Sequence, residues 1–526
     1  MYADSDGEWQ QPIAKRCKLA IAAHRQPIIV AVLPIAQLVS SFLSVPRELL
    51  TFAFTCRSAK QAVHATEINM CPTAKSILAK IKPKIITWQF IAANFSAQSM
   101  WKLVGAVLTD VRLKELPLPP LDWIMLRELW IHNCELSAAV WSGLNLTRLE
   151  HLTMDCYYGR HTDLAGLEGG RCSSLRTLSL SRQALLTDIS EVGKMSNLRH
   201  LNLAKCKNLL DISALSNCWL LENVGCRGCV KLADVSALGK CANLAHLELS
   251  GCRVSEITGL GNCTNLTHLD LRGCDQLTDI STLAGCSSLA HLDLSGCDQL
   301  TGISALASCK SLVHLHVMLC RLLPDISALA GCKNLAHVDL SGCHLLPDIS
   351  ALASCSNLAH LELSGCRLRR DISALAGCKC LVYLDLSHCD ELTDVSALAE
   401  CSKLAHVDVR YCERLTNISA LAGCKSLVHL DLSNCRLLTD ISALAGCKSL
   451  VHLDLSCCRE LKDISALAGC KSIAHLKLRD CQLLTDISAL AGCKSLVHLD
   501  LSYCILLADI SALAGCKSLV HLDRTT

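Results

Sequence analysis

Apolar side chains recur in one frame, L-x-x-L-x-L-x-x-C. It begins at Leu126, Leu149, Leu175, Leu198, Leu221, Leu244, Leu266, Leu289, Leu312, Leu335, Leu358, Leu381, Leu404, Leu427, Leu450, Ile473, Leu496 and Leu519. The step is 23 residues almost throughout, with 26 from Leu149 to Leu175 and 22 from Leu244 to Leu266. Inside the frame the period is two, which predicts a short strand with its leucines inward and its third, fifth and seventh residues outward. The segment between strands, as in DISALAGC at Asp440–Cys447, predicts a short helical turn capped by Asp440 and ended by Gly446. One coil cannot bury its own leucines; stacked coils share a continuous core and one long parallel sheet. The expected fold class is α/β: a solenoid with a parallel sheet on the concave face and helical turns on the convex face, preceded by a small helical domain. About 18 coils over 121–526 would follow an arc on the order of 85 Å at a strand spacing of about 4.8 Å.

A fixed period of about 20 to 29 residues with this spacing resembles the leucine-rich repeat. Two cysteine columns run through the array. One closes the frame (Cys252, Cys274, Cys297, Cys343, Cys366, Cys435), where many such repeats carry Asn. The other precedes the strand (Cys286, Cys332, Cys424, Cys447, Cys470, Cys493). Both are expected to be small buried packers able to make weak hydrogen bonds to backbone. A column offers one ligand per coil rather than a tetrahedral set, so no metal is expected.

The third position is His in most coils, from His200 and His246 to His521, with Tyr383 in its place once; the fifth is mostly Asp or Glu. A His stripe beside an acidic stripe is thus expected on the concave face, the two supporting one another. A carboxylate beside an imidazole invites a catalytic interpretation, but a dozen equivalent pairs without a singular nucleophile describe a scaffold, and no catalytic residue is assigned. Coils that break the pattern are more informative. His316 and Met318 stand in the coil at Leu312, Arg410 and Tyr411 in that at Leu404, and Lys477 and Arg479 in that at Ile473; Arg272 and Tyr503 also depart. Arg, Tyr and Met are enriched at protein interfaces, and Arg and Tyr at their hot spots. Partner binding on the concave face is therefore assigned to His316, Met318, Tyr383, Arg410, Tyr411, Lys477, Arg479 and Tyr503. The first coils, Leu126 to about Cys229, are irregular, as capping repeats often are. HLDRTT stops inside a strand, which predicts an edge covered by a partner or a truncated chain.

Residues before about 120 do not fit the frame. They divide into a polar tail at 1–27, expected to be disordered, a helical segment at 28–66, and a further helical region with a Pro-rich linker at 67–120. The apolar run Pro27–Val45 is long enough to span a bilayer, but Pro34 and Gln37 interrupt it, so a buried helix pair is expected. Leu33-Pro34, Phe42-Leu43, Pro46, Leu49-Leu50 and Thr55-Cys56-Arg57 fall in the order of an F-box, which this segment resembles. The resemblance implies docking to a Skp-type adaptor of cullin-based ubiquitin ligases through Leu33, Pro34, Phe42, Leu43, Leu49 and Leu50. It departs from the pattern in its shorter Leu33–Leu43 span, in Thr55 where Val is usual, and in lacking Trp after Arg57.

Composition narrows the function. The net charge of +2 gives no general attraction to nucleic acid or anionic membrane. Thirty-seven cysteines in a chain large enough to have its own core point to free thiols in a reducing compartment rather than a disulfide scaffold. The N-terminus lacks the pattern of a secretory signal. The expected protein is a non-catalytic substrate-recruiting subunit of a cullin-type ligase, without cofactor, in the cytoplasm or else the nucleus, holding a protein target on its concave face. The alternatives are a leucine-rich-repeat scaffold or signalling protein, and a surface adhesin, because LTDISALAGC resembles internalin repeats.

Overall fold

The computed structural model describes residues 105–109, 112–113, 127–132, 135–136, 146–155, 164, 167, 171–367 and 371–525. They form two units that divide after Ala184. The F-box-like segment, Leu33, Pro34, Phe42, Leu43, Leu49 and Leu50 included, and the apolar run Pro27–Val45 lie outside the described residues. Among those described, no helix is long and apolar enough to cross a membrane.

In the first unit, strands β1 (Gly105–Thr109), β3 (Glu128–His132), β5 (His151–Asp155) and β6 (Thr177–Ser179) pair in parallel, and β2 (Arg112–Leu113) pairs with β4 (Glu135–Leu136). Gly105 faces Glu128, one 23-residue period away, and His151 faces Thr177 across the longer step. The sequence reads the stretch around Gly105–Thr109 as helical; it is a strand instead. Leu103 stands one period before Leu126, so this is a degenerate earlier coil.

The second unit is a leucine-rich-repeat solenoid. Its described strands run from β7 (His200–Asn202) to β21 (His521–Asp523), each three residues long and parallel to the next. Identical frame positions face one another: His268 opposite His291, Leu269 opposite Leu292, Asp270 opposite Asp293. The 22-residue step is absorbed without loss of register, with His246 opposite His268.

Outside the strand the coil obeys a period of three. Leu271, Cys274, Leu277, Ile280, Leu283, Cys286 and Leu289 are all buried. Cys274, Leu277, Leu283, Cys286 and Leu289 each donate their N–H to the carbonyl three residues back, at 2.9–3.1 Å. Such i to i+3 closure puts every third side chain on one side. Three residues, two through the strand and six further steps of three make the 23-residue coil, and both cysteine columns fall on this inner register. Each buried Leu contributes about 1.5–3 kcal/mol.

The expected helical turn is a single 3-10 turn such as Ser442–Gly446. Asp440 caps it: Oδ1 accepts from the Ser442 N–H at 2.8 Å and Oδ2 from its hydroxyl at 3.2 Å. Gly446 does not end the turn by a left-handed conformation; no glycine of this column has positive φ. Its column is small because stacked turns approach closely: a Cβ on Gly423 would lie 2.7 Å from the Ala399 carbonyl oxygen.

Candidate partner-binding face

The sheet face of the second unit is built from frame positions 3, 5, 7 and 8. In-register pairing stacks the position-3 rings. Centroids of His246, His268, His291, His314 and His337 follow one another at 4.1–4.4 Å, and Tyr383 lies 4.1 Å from His360 at an interplanar angle of 2°. The series continues from His406 to His521 at 4.5–6.1 Å. Stacking occupies the ring faces and leaves the edges outward. Burial, reinforced by neighbouring imidazoles, holds His268 down at about 4 and lowers His291, His314, His337, His429 and His452 as well, and burial alone lowers His246.

The acidic stripe does not pair with the histidines as the sequence suggested. Asp270, Asp293, Asp339, Asp385, Asp408, Asp431, Asp454 and Asp500 each use Oδ1 to accept the backbone N–H two residues on, at 2.7–3.0 Å. A short carboxylate reaches its own strand exit more readily than a ring already stacked on its neighbours. His360–Glu362, at 3.2 Å, and His498–Asp523, at 3.6 Å, do contact across the stripes. Burial, with repulsion from Asp385 and Asp431, raises Asp408 to about 6.

The irregular residues form three groups on this face. His316 replaces the acid between Asp293 and Asp339, and Met318 follows it at position 7. Arg410 lies 3.3 Å from Asp408, and the Tyr411 ring stacks on His388 at 4.5 Å. Lys477 bonds Asp454 at 3.0 Å, and the Arg479 guanidinium lies 5.0 Å over the Tyr503 ring, a cation–π arrangement. Tyr383 belongs to the ring stack. Arg272 lies 2.7 Å from Asp270 and 3.5 Å from Asp293.

Position 8 is left-handed from the Leu198 coil, where it is Lys205, to the Leu496 coil. Gly228, Gly251, Gly273, Gly296, Gly342 and Gly365 occupy it at φ of 64–72°, but so do Leu319, His388, Tyr411, Asn434, Cys457, Asp480 and Tyr503 at 57–63°. His388 was not singled out from the sequence; its shared column with Tyr411, one coil away, was the available signal. Asp480 accepts from Arg459 at 3.0 Å and from Gln482 at 2.9 Å, so the Ile473 coil carries a small polar network as well as its cations.

Comparison with known proteins agrees with the fold. The family described as leucine-rich repeats (2 copies) matches residues 242–285, 356–400 and 425–469. An internalin (inlF) of Listeria monocytogenes is 25% identical, with a TM-score of 0.51, covering 58% of this chain and 87% of that one. A leucine-rich-repeat protein of Leptospira interrogans is 19% identical, with a TM-score of 0.57, covering 68% of this chain and 90% of that one. No curated protein sequence matches the chain.

Proposed function

We propose that the chain is a non-catalytic recognition protein that holds a protein target on the sheet face, chiefly over the coils from Leu381 to Tyr503. The observation that carries this is the pair Tyr411 and Tyr503. Both are bulky, 40% and 42% exposed, and both sit in a left-handed conformation that six glycines adopt in the same column. A non-glycine residue there costs on the order of 1 kcal/mol, and such strain concentrates where a site uses the side chain. Each is also held by a partner, His388 or Arg479, in the rigid aromatic and Arg composition of hot spots. His316, Met318, Tyr383, Arg410 and Lys477 extend the same surface.

The likeness to an internalin supports a recognition role on a surface-exposed protein as the first alternative for where it acts. The ligase-adaptor reading rests on Leu33–Arg57 alone. It requires a fragment of residues 1–125 to bind a purified Skp-type adaptor, and Leu43→Asp or Leu50→Asp variants that keep their helicity to lose it.

The test of target binding uses the repeat's own consensus. A variant carrying Arg410→Ser, Tyr411→Gly, Lys477→Asp, Arg479→Ser and Tyr503→Gly restores the regular coil. Proteins captured by the native chain should be lost from this variant. They should persist on one carrying Lys425→Gln, Lys448→Gln and Lys471→Gln, which alters exposed residues beside the turns. Equal capture by all three would remove the sheet face from the account.

A further inference from the structure

The coil at Leu221 differs from the other regular coils in its core. Frame position 6 is Leu or Val in the other coils of the second unit up to Leu501, and Arg524 in the last, but here it is Cys226, three residues before the regular Cys229. Both are fully buried. The Cys229 N–H donates to the Cys226 carbonyl at 3.0 Å. That bond closes a four-residue turn whose end Cα atoms lie within about 7 Å, and a disulfide needs about 4.4–6.8 Å. The same turn recurs elsewhere with one thiol, as in Leu249–Cys252, where the bond is also 3.0 Å. Here one turn carries two thiols, each shifting the titration of the other. Gly225 precedes the pair, and Gly228, at φ 71°, lies inside it.

We propose that Cys226 and Cys229 form a redox site, a dithiol that a hydroperoxide converts to an intra-coil disulfide. Their mutual interaction makes the two thiols unequal. The neighbouring Cys229 and burial raise Cys226 well above an ordinary thiol, while the neighbouring Cys226 lowers Cys229. Cys229 is therefore the attacking sulfur. As thiolate it takes one oxygen from the peroxide, becoming a sulfenic acid and releasing water. Cys226 then attacks that sulfur, the S–O bond breaks, and a second water leaves with the Cys226 proton. Two thiols lose two electrons and two protons, and one peroxide becomes two waters. Cys229 also donates to a backbone carbonyl of the preceding coil, that of Leu203 at 3.1 Å, as Cys252, Cys274 and Cys297 do at 3.1–3.3 Å; those three coils differ in having no second thiol in the turn, and there burial pushes Cys274 up to about 12.

The full chain, reduced and desalted, is treated with substoichiometric hydrogen peroxide, alkylated and digested with trypsin. Cleavage after Arg227 separates the two cysteines, so peptides 208–227 and 228–231 stay joined only if bridged. The joined species should exceed any cross-link between neighbouring coils at least tenfold, and fragmentation should place it on Cys226 rather than Cys218. Cys226→Leu, which restores the residue of other coils, should abolish it; Cys226→Ser should leave a trapped sulfenic acid on Cys229. Oxidation of the half-buried Cys380 and Cys457 without the 226–229 bridge would overturn the proposal. So would a joined species that survives Cys226→Leu.

Discussion

The Sγ of Cys435 donates to the backbone carbonyl oxygen of Val409, 3.2 Å away in the preceding coil. The same bond repeats along the column, from Cys412 to Leu386 and from Cys458 to Leu432, each at 3.2 Å. A carbonyl that already accepts the Cys412 N–H at 3.3 Å thereby gains a second donor, from a side chain small enough for the three-residue turn. Cys435→Ala should cost about 1–2 kcal/mol, from a lost hydrogen bond and a small cavity. Coils contact only their neighbours, so hydrogen exchange should quicken in the coils at Leu404, Leu427 and Leu450 and stay unchanged near Leu244.

Two glycines in one column should respond oppositely to alanine. A Cβ on Gly423 meets the Ala399 oxygen at 2.7 Å, whereas one on Gly492 meets nothing within 4 Å. Gly423→Ala should destabilise by about 1–3 kcal/mol through overpacking. Gly492→Ala should be neutral or stabilising by up to about 1 kcal/mol, by restricting the unfolded chain. Chemical denaturation of the two variants in parallel checks the contrast.

Acid should loosen the sheet face through its rings. His268 is held at about 4 against an ordinary 6.5, first by burial and then by His291, His246 and His314. The unfolded chain thus binds more protons between those values, so stability present above pH 6.5 is lost as pH falls toward 4. Asp408, raised from 3.8 to about 6 by burial, acts oppositely: the folded chain binds more protons from 6 down to 3.8. His268→Gln should therefore flatten the loss on acidification, and Asp408→Asn should steepen it. Thermal unfolding from pH 7 to 4 reads both, and imidazole NMR titration should place the His268 midpoint well below 6.5.

Tyr411→Gly and Tyr503→Gly should separate stability from binding. Glycine removes left-handed strain on the order of 1 kcal/mol but also the contacts to His388 and Arg479. Stability should change by less than about 1 kcal/mol while target affinity falls at least tenfold.

Much of this was legible in the chain. The frame beginning at Leu198, Leu221 and their successors carried the strands, their register and the inward leucines, because one pattern repeated in near-identical words resists chance. Cap formation by Asp440 followed from the local sequence too. The strand at Gly105–Thr109 was hidden because Gly105 and Ala106 replace the expected residues, leaving only the 23-residue offset. The roles of His and Asp were misjudged because both lie on one strand at alternate positions. Which neighbour each prefers depends on the 4.1–4.4 Å ring stacking between coils and on the carboxylate's reach to the N–H two residues on in its own coil, and the alternation of the strand does not rank these against a His–Asp pair. His388 was missed because its significance comes from Tyr411 in the next coil.

The central claim is that the irregular coils of the sheet face hold a protein target. Calorimetric titration of a captured partner tests it most directly, with the native chain, the five-substitution consensus variant and the Lys425, Lys448 and Lys471 variant compared at equal salt. The account predicts at least a tenfold loss of affinity for the consensus variant and a change under threefold for the lysine variant. Unchanged affinity for a folded consensus variant would contradict it.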